Sequence, residues 1–261
     1  MDNLTQEQID DLLPNNLILL GYRGSISHNM YVPNTDPNSI DDIDLMGIFM
    51  YPVDHYIGIN KSKDVDEKFV DKWDVVSYEF MKFVGLLLKS NPNVTSMLWL
   101  NKEHYIKVHS YGRLLIENRD LFVSKKAFDS YIGYAYGQLK KMESFVKQGY
   151  MGQKRKQLVE KYHYDTKNAA HCIRLLKMCV EFLNTGELCV FREKDADFLL
   201  DIKRGQWTLD EVKKEATRLF SLADKAFAES TLPEEPNYDK VNSLVMEIMF
   251  DYIVKGGLNE V

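Results

Sequence analysis

The chain has 261 residues, of which 45% are apolar and 28% charged, with a formal net charge of −6; that apolar content supports a substantial core in one large domain or two small ones and excludes a disordered chain. The acidic balance argues against indiscriminate nucleic-acid binding, no apolar run is long enough to cross a bilayer, and residues 1–5 lack the basic and apolar parts of a secretion signal. Three cysteines, Cys172, Cys179 and Cys189, make an odd count without a Cys-x-x-Cys pair, which argues against a disulfide framework and a zinc site, and a reducing, cytoplasmic location is expected.

In chain order, Thr5 and Gln8 are spaced as a capping box opening a helix that runs to Leu13 and stops at Pro14. Residues 17–20 read as a short buried strand entering a glycine-rich turn over residues 21–25, and residues 43–49 as a second strand ended by Tyr51 and Pro52. Residues 56–59 are a connection or a short strand, and residues 68–77 a further strand. Residues 77–88 have helical spacing, with Phe80, Val84, Leu87 and Leu88 on one side, and Asn91 and Pro92 break the pattern. A short helix from Asn93 carries Met97, Leu98 and Leu100. Helical periodicity then dominates residues 128–147, 166–184, 195–203, 209–228 and 241–254, with Pro233 and Pro236 separating the last two. Cys172 and Cys179, seven apart on one of these helices, are expected in a core. The expected division is a domain over residues 1–122 and a mostly helical one over 123–261.

The chemistry concentrates at Gly24 and Ser25, followed by Asp42 and Asp44. Side chains at i and i+2 of a strand share a face, roughly 6 to 7 Å apart, so Asp42 and Asp44 could share a pair of divalent ions about 3.5 to 4 Å apart, the spacing used for in-line phosphoryl displacement. The Ser25 hydroxyl and backbone N–H groups at the glycine turn could hold a triphosphate. Each half also has an ordinary reading, as a loop turn and as solvated surface acids. Asp41 faces the other way and is expected to cap or hydrogen-bond the incoming loop. His28 reads as a loop residue.

Charge is unevenly spread. Residues 1–70 hold twelve acids against Arg23, Lys61, Lys63 and Lys68, a net of −8, so the remainder is +2. Residues 147–167 hold six basic residues and two acids with Tyr150, Tyr162 and Tyr164 interleaved, a pattern that either tracks a polyphosphate or single strand by charge and stacking or forms an ordinary solvated loop. Over residues 166–184, Lys167, His171, Arg174 and Met178 fall on one narrow helix face opposite Leu176, Val180 and Leu183, which on its own reads as the wet face.

The Gly24-Ser25 turn with Asp42-x-Asp44 on the next strand resembles the signature of the DNA polymerase beta-like nucleotidyltransferase superfamily. Residues 74–83, 91–94, 167–176 and 185–188 resemble successive blocks of its RNA-ligase-associated branch, often called RlaP, so the likeness runs from about residue 17 to about residue 210. It implies an α+β nucleotidyltransferase fold with a mixed sheet and helices, followed by a mostly helical domain closing over the nucleotide. It implies Asp42, Asp44 and Asp74 as ligands of two Mg²⁺ or Mn²⁺ ions, Asp74 otherwise reading as a strand-end surface acid. Gly24, Ser25, Lys167 and Arg174 become contacts of a nucleoside triphosphate, and His171 orients the nucleotide or senses its charge. The implied activity is transfer of a nucleoside monophosphate to an acceptor hydroxyl, with an RNA end one candidate acceptor beside a protein or a small molecule. No DNA-specific motif and no membrane partner is expected. The alternative is a catalytically degenerate nucleotide-binding or protein-interaction module. Two departures stand out: Asn29 replaces a family glycine about four residues after the serine, tolerable because Asn accepts left-handed backbone, and the 16 residues between Ser25 and Asp42 exceed the usual ten or so, reading as an exposed loop beside the site.

Overall fold

A computed structural model describes residues 12–258 apart from residues 34, 37–38, 60–61, 71 and 144–151. The expected capping box at Thr5 and Gln8, and Tyr150, lie outside the described residues. Five strands, β1 (Leu17–Tyr22), β2 (Ile43–Phe49), β3 (Val65–Val70), β4 (Trp73–Glu79) and β5 (Tyr105–Val108), form one mixed sheet in the order β3-β4-β2-β1-β5. β2 and β4 run parallel, and the other neighbouring pairs are antiparallel. The helices, in chain order, are α1 (Gly24–Ser27), α2 (Val53–Ile57), α3 (Phe80–Leu87), α4 (Pro92–Thr95), α5 (Ser110–Glu117), α6 (Ala127–Glu143), α7 (Gln153–Tyr162), α8 (Thr166–Thr185), α9 (Ala196–Lys203), α10 (Leu209–Glu229) and α11 (Tyr238–Val254).

The central strands are apolar on both faces because both faces are covered. Met46, Ile48 and Val76 join the larger core with the helices, while Leu17, Ile43, Leu45, Trp73 and Val75 join a second, smaller cluster. Alternation along a strand therefore puts Asp44 on the face of Met46 and Ile48, which the helical layer overlies. α8 runs through the middle of that layer, its Ile173, Leu176, Cys179 and Phe182 fully buried. Cys172 and Cys179 pack in the core as expected, and all three cysteines are free thiols. Phe122 and Val123, on either side of the expected division, both belong to the larger core. No described helix is long and apolar enough to cross a membrane.

Several local expectations are corrected. Residues 68–77 are not one strand: β3 and β4 form a hairpin that reverses between Val70 and Trp73, with Phe69 paired to Asp74. Ser77 to Glu79 remain in β4, in register with residues 47–49, and α3 begins only at Phe80, where the Glu79 carboxylate accepts the Lys82 N–H at 3.0 Å and caps the helix. Residues 53–57 are helical, and β5 and α5 carried no sequence signal that was read. Residues 153–162 of the basic stretch form helix α7, in which Tyr162 is half-buried, and Tyr164 just beyond it is fully buried and donates to the Trp207 carbonyl at 2.6 Å.

The segment between Ser25 and Asp42 is only partly an exposed loop, since Met30, Val32, Ser39 and Asp41 are buried. Asp41 plays the loop-binding role expected of it: its Oδ2 accepts the Val32 N–H at 2.9 Å and pairs with the Lys203 ammonium, which also donates to the Met30 carbonyl at 2.8 Å. Asn29 adopts the left-handed conformation (φ 57°) that its place in the turn needs. Burial pulls the Lys203 amine down while Asp41 holds it up. Because removing one partner strands a buried charge, Lys203→Met should lower stability by about 3 kcal/mol, the low end of the usual range since Lys167 still lies 3.6 Å from Asp41. Adding Asp41→Asn should restore part of it; urea unfolding in which the double variant loses as much as the single would contradict this account.

Candidate active site

β1 delivers the chain to the site and β2 carries the carboxylates past it. Arg23 N–H donates to the Asp44 carbonyl at 2.9 Å, so the turn after β1 is pinned to the strand bearing the acids. Gly24 follows with φ +63°, and a Cβ there would collide with the Asp44 carboxylate; glycine is required both by backbone conformation and by close approach. Ser25 follows in α1, its Oγ buried with no hydrogen-bond partner among the described residues.

Asp44 lies directly opposite Asp74 in the parallel β2–β4 pair, so the two carboxylates stand side by side on one face, with Asp42 just before β2 near enough to interact electrostatically with both. Arg23 bridges the pair: its Nη2 is 3.1 Å from Asp74 and 3.8 Å from Asp44, while its Nε donates to the Leu45 carbonyl at 3.1 Å. Arg23 had been counted in the sequence only as one of few cations in an acidic stretch, and its place directly before Gly24 was the available signal. Burial pushes the Asp44 carboxyl up to about 6 against the pull of Arg23 and Lys167, with Asp74 and Asp42 adding to the rise. Burial likewise raises Asp42.

Facing these acids is a cavity of about 230 Å³ whose lining includes Arg23, Ser25, Asp44, Lys167, Arg174 and Lys203, with Met97 and Leu100 as an apolar wall. The α8 face bearing Lys167, His171, Arg174 and Met178 is thus not a wet face. Met178 and Arg174 are buried, and the face closes the cavity. Arg174 Nε and His171 Nε2 are buried without hydrogen-bond partners. Burial lowers Arg174 to about 9, with Arg192 pressing the same way, and lowers His171 to about 4, with Lys141, Lys167 and Arg155 adding to it, so the imidazole is neutral at pH 7. Lys167 donates to the Ile40 carbonyl at 3.3 Å. His28 is buried, lines the same cavity, and its Nδ1 donates to the Val190 carbonyl at 2.9 Å.

The donor set suits a hard divalent cation, being all carboxylate oxygen. Among the described residues no three acids, histidines or thiols stand close enough to enclose one ion, and the positive charge between Asp44 and Asp74 is that of Arg23. The unpartnered Ser25, His171 and Arg174 atoms suit an anion with several acceptor oxygens.

Two adjacent carboxylates beside a glycine turn thus lie across one cavity from the cations Lys167, Arg174 and Lys203. Residues 35–247 match the family described as RlaP: RNA repair pathway DNA polymerase beta family, and the chain belongs to it. Among solved structures it is similar to a nucleotidyltransferase-like protein from Exiguobacterium sibiricum 255-15, at 13% identity over 93% of this chain and 87% of that one, with a TM-score of 0.32; so slight a likeness carries no conclusion about this chain. No curated protein matches it.

The Asp44 carboxyl is raised above the 3.8 of an unperturbed one, so stability is full below that value and falls as pH rises to about 6. At about 1.4 kcal/mol per pKa unit, the ionised group costs the metal-free protein about 3 kcal/mol at pH 7. Asp44→Asn should therefore melt higher than wild type in chelator at pH 7, with the gap growing between about pH 4 and pH 6 and level above. A gap that is flat across this range would remove the assigned burial strain.

Proposed function

We propose that this protein is a divalent-metal-dependent nucleotidyltransferase that moves a nucleoside monophosphate from a nucleoside triphosphate to an acceptor hydroxyl, releasing pyrophosphate. The observation that carries the reading is that Asp44, beside its partner Asp74, faces Ser25, Lys167 and Arg174 across one cavity. Free thiols agree with a reducing, cytoplasmic setting, and the family's description as an RNA repair pathway supports an RNA end as the acceptor.

Asp42, Asp44 and Asp74 would hold Mg²⁺ or Mn²⁺, which when bound supplies Lewis acidity at the reacting phosphate and an acidified attacking hydroxyl. Ser25 Oγ and the cations of Lys167 and Arg174 bind the triphosphate and neutralise the charge that moves onto pyrophosphate as it leaves. Arg is suited to this because its planar fork engages phosphate oxygens bidentately. Neutral His171 orients the nucleotide through Nε2. The acceptor oxygen bonds to the α-phosphorus, the bond to the β-bridging oxygen breaks, and the hydroxyl proton passes to Asp74, whose side chain is 43% exposed on the open side. A degenerate nucleotide-binding or protein-interaction module draws support from one feature, the Arg23 bridge that neutralises the acids without metal.

Labelled nucleoside triphosphates with Mn²⁺ and an RNA pool should yield pyrophosphate and labelled RNA. Asp42→Asn and Asp44→Asn should abolish this, and Asp74→Ala most of it, without unfolding. Binding without pyrophosphate release by wild type would establish the degenerate alternative. Lys167→Ala and Arg174→Met should weaken triphosphate binding by roughly ten- to hundredfold, the loss of a charge-assisted hydrogen bond of about 1.5 to 3 kcal/mol. Arg174→Met should also raise the melting temperature of the free protein, since it removes a buried, unpaired charge. Calorimetric titration with a non-hydrolysable triphosphate, beside thermal melts, tests both; unchanged affinity would return Lys167 and Arg174 to structural roles.

A further inference from the structure

Sharing Lys167 with the nucleotide cavity is an open groove of about 690 Å³ lined by Asp41, Asp42, Phe69, Lys154, Arg155 and Lys167. Asp44 lines the cavity and Asp42 the groove. We infer that this groove is the acceptor site and that it takes the hydroxyl-bearing end of a single-stranded nucleic acid, with the terminal base stacked on Phe69 and the phosphate behind it held by Lys154 and Arg155. The inference rests on the proposed transferase reading and gives it a substrate class.

Phe69 is the informative residue. It pairs with Asp74 across the β3–β4 hairpin, and Asp74 pairs with Asp44, so Asp44, Asp74 and Phe69 form one row across three strands, about 5 Å apart per strand, on a shared face. The ring is 65% exposed at the edge of the sheet, where strands are normally blunted by charge, and it adds little to either core. It offers a flat apolar surface one strand beyond the proton-accepting carboxylate. Stacking on such a ring tolerates every base.

The opposite bank is α7, whose first turn holds no acid. Lys154 is exposed there, and Arg155 is oriented by Asp165, which accepts from its Nε at 3.1 Å and Nη2 at 2.8 Å. Of the tyrosines that the sequence suggested as stacking partners, Tyr164 is buried and Tyr162 is packed against the core, whereas Phe69 presents an exposed ring in the groove. An open trough with a cationic bank and one aromatic platform matches the alternating charge and π-face of a strand. A small acceptor would need enclosure on more sides.

The probe is a fluorescent single-stranded RNA of about 12 nucleotides with a free 3′ hydroxyl, followed by anisotropy on the full chain, with melts of each variant and calorimetric titration of the triphosphate alongside. Wild type should bind it. Phe69→Ala should weaken binding by about 5- to 100-fold, the range for one stacked base. Lys154→Glu should weaken it and flatten the salt dependence by about 0.7 in log Kd per decade of salt. Triphosphate affinity should be unchanged in both. Two variants that bind the strand as wild type does would overturn the assignment. A wild type that binds triphosphate but no strand, or that labels a protein instead, overturns the groove alone and leaves the transferase reading in place. Strand binding without pyrophosphate release overturns the transferase reading and the acceptor role with it.

Discussion

The Asp44 carboxylate is held against the bare backbone of Gly24, on a strand whose neighbours on either side are apolar, and the rest of the site follows from that placement. Sheet hydrogen bonding fixes where it sits, the parallel partner Asp74 stands beside it, and burial resists its ionisation. Two acids so close in a partly dry place need positive charge. In the free protein Arg23 supplies it from one residue before the glycine, at 3.1 Å from Asp74. Arg23 thus acts as an internal counter-ion between the two carboxylates.

Across the cavity the charge problem has the opposite sign. Arg174 is buried on α8 with the cations Arg192 and Lys203 as electrostatic neighbours, and neutral His171 and Ser25 present buried polar atoms without partners among the described residues. Folding tolerates such groups where binding uses them, at some cost in stability. The helical layer is not a separate lid over a finished site: Lys203 of α9 grips the Asp41 carboxylate and Met30 carbonyl, and Tyr252 of α11 donates to the Tyr51 carbonyl at 2.8 Å just past β2. The carboxylates and the cations therefore belong to one packed body.

Much of this was legible in the sequence because it rests on local rules. β1 and β2 were visible as apolar runs bounded by glycine, proline and polar residues, and α8 to α11 as 3.6-residue periodicity. The turn and acid pair were visible because a glycine and i, i+2 carboxylates state their geometry directly. What was hidden is nonlocal. The β3–β4 hairpin has no glycine-rich turn to announce it, and β5 is short and half-exposed. The strand extending to Glu79 overrides a helical pattern because Ser77 to Glu79 find partners on β2. The α8 face looked wet because Lys167, His171 and Arg174 are polar, and only packing shows that they border an internal cavity. Arg23 and Lys203 were hidden for the same reason: a cation's partner 20 or more residues away leaves no periodic trace.

On the proposed reading, the Arg23-bridged acids and the buried Ser25, His171 and Arg174 atoms across the cleft take up metal and triphosphate together. The direct measurement is the melting temperature in chelator, with Mn²⁺ alone, with a non-hydrolysable triphosphate alone, and with both at the same concentrations. Coupled binding predicts that the shift with both exceeds the sum of the separate shifts. Shifts that merely add, or none with both present, would contradict it.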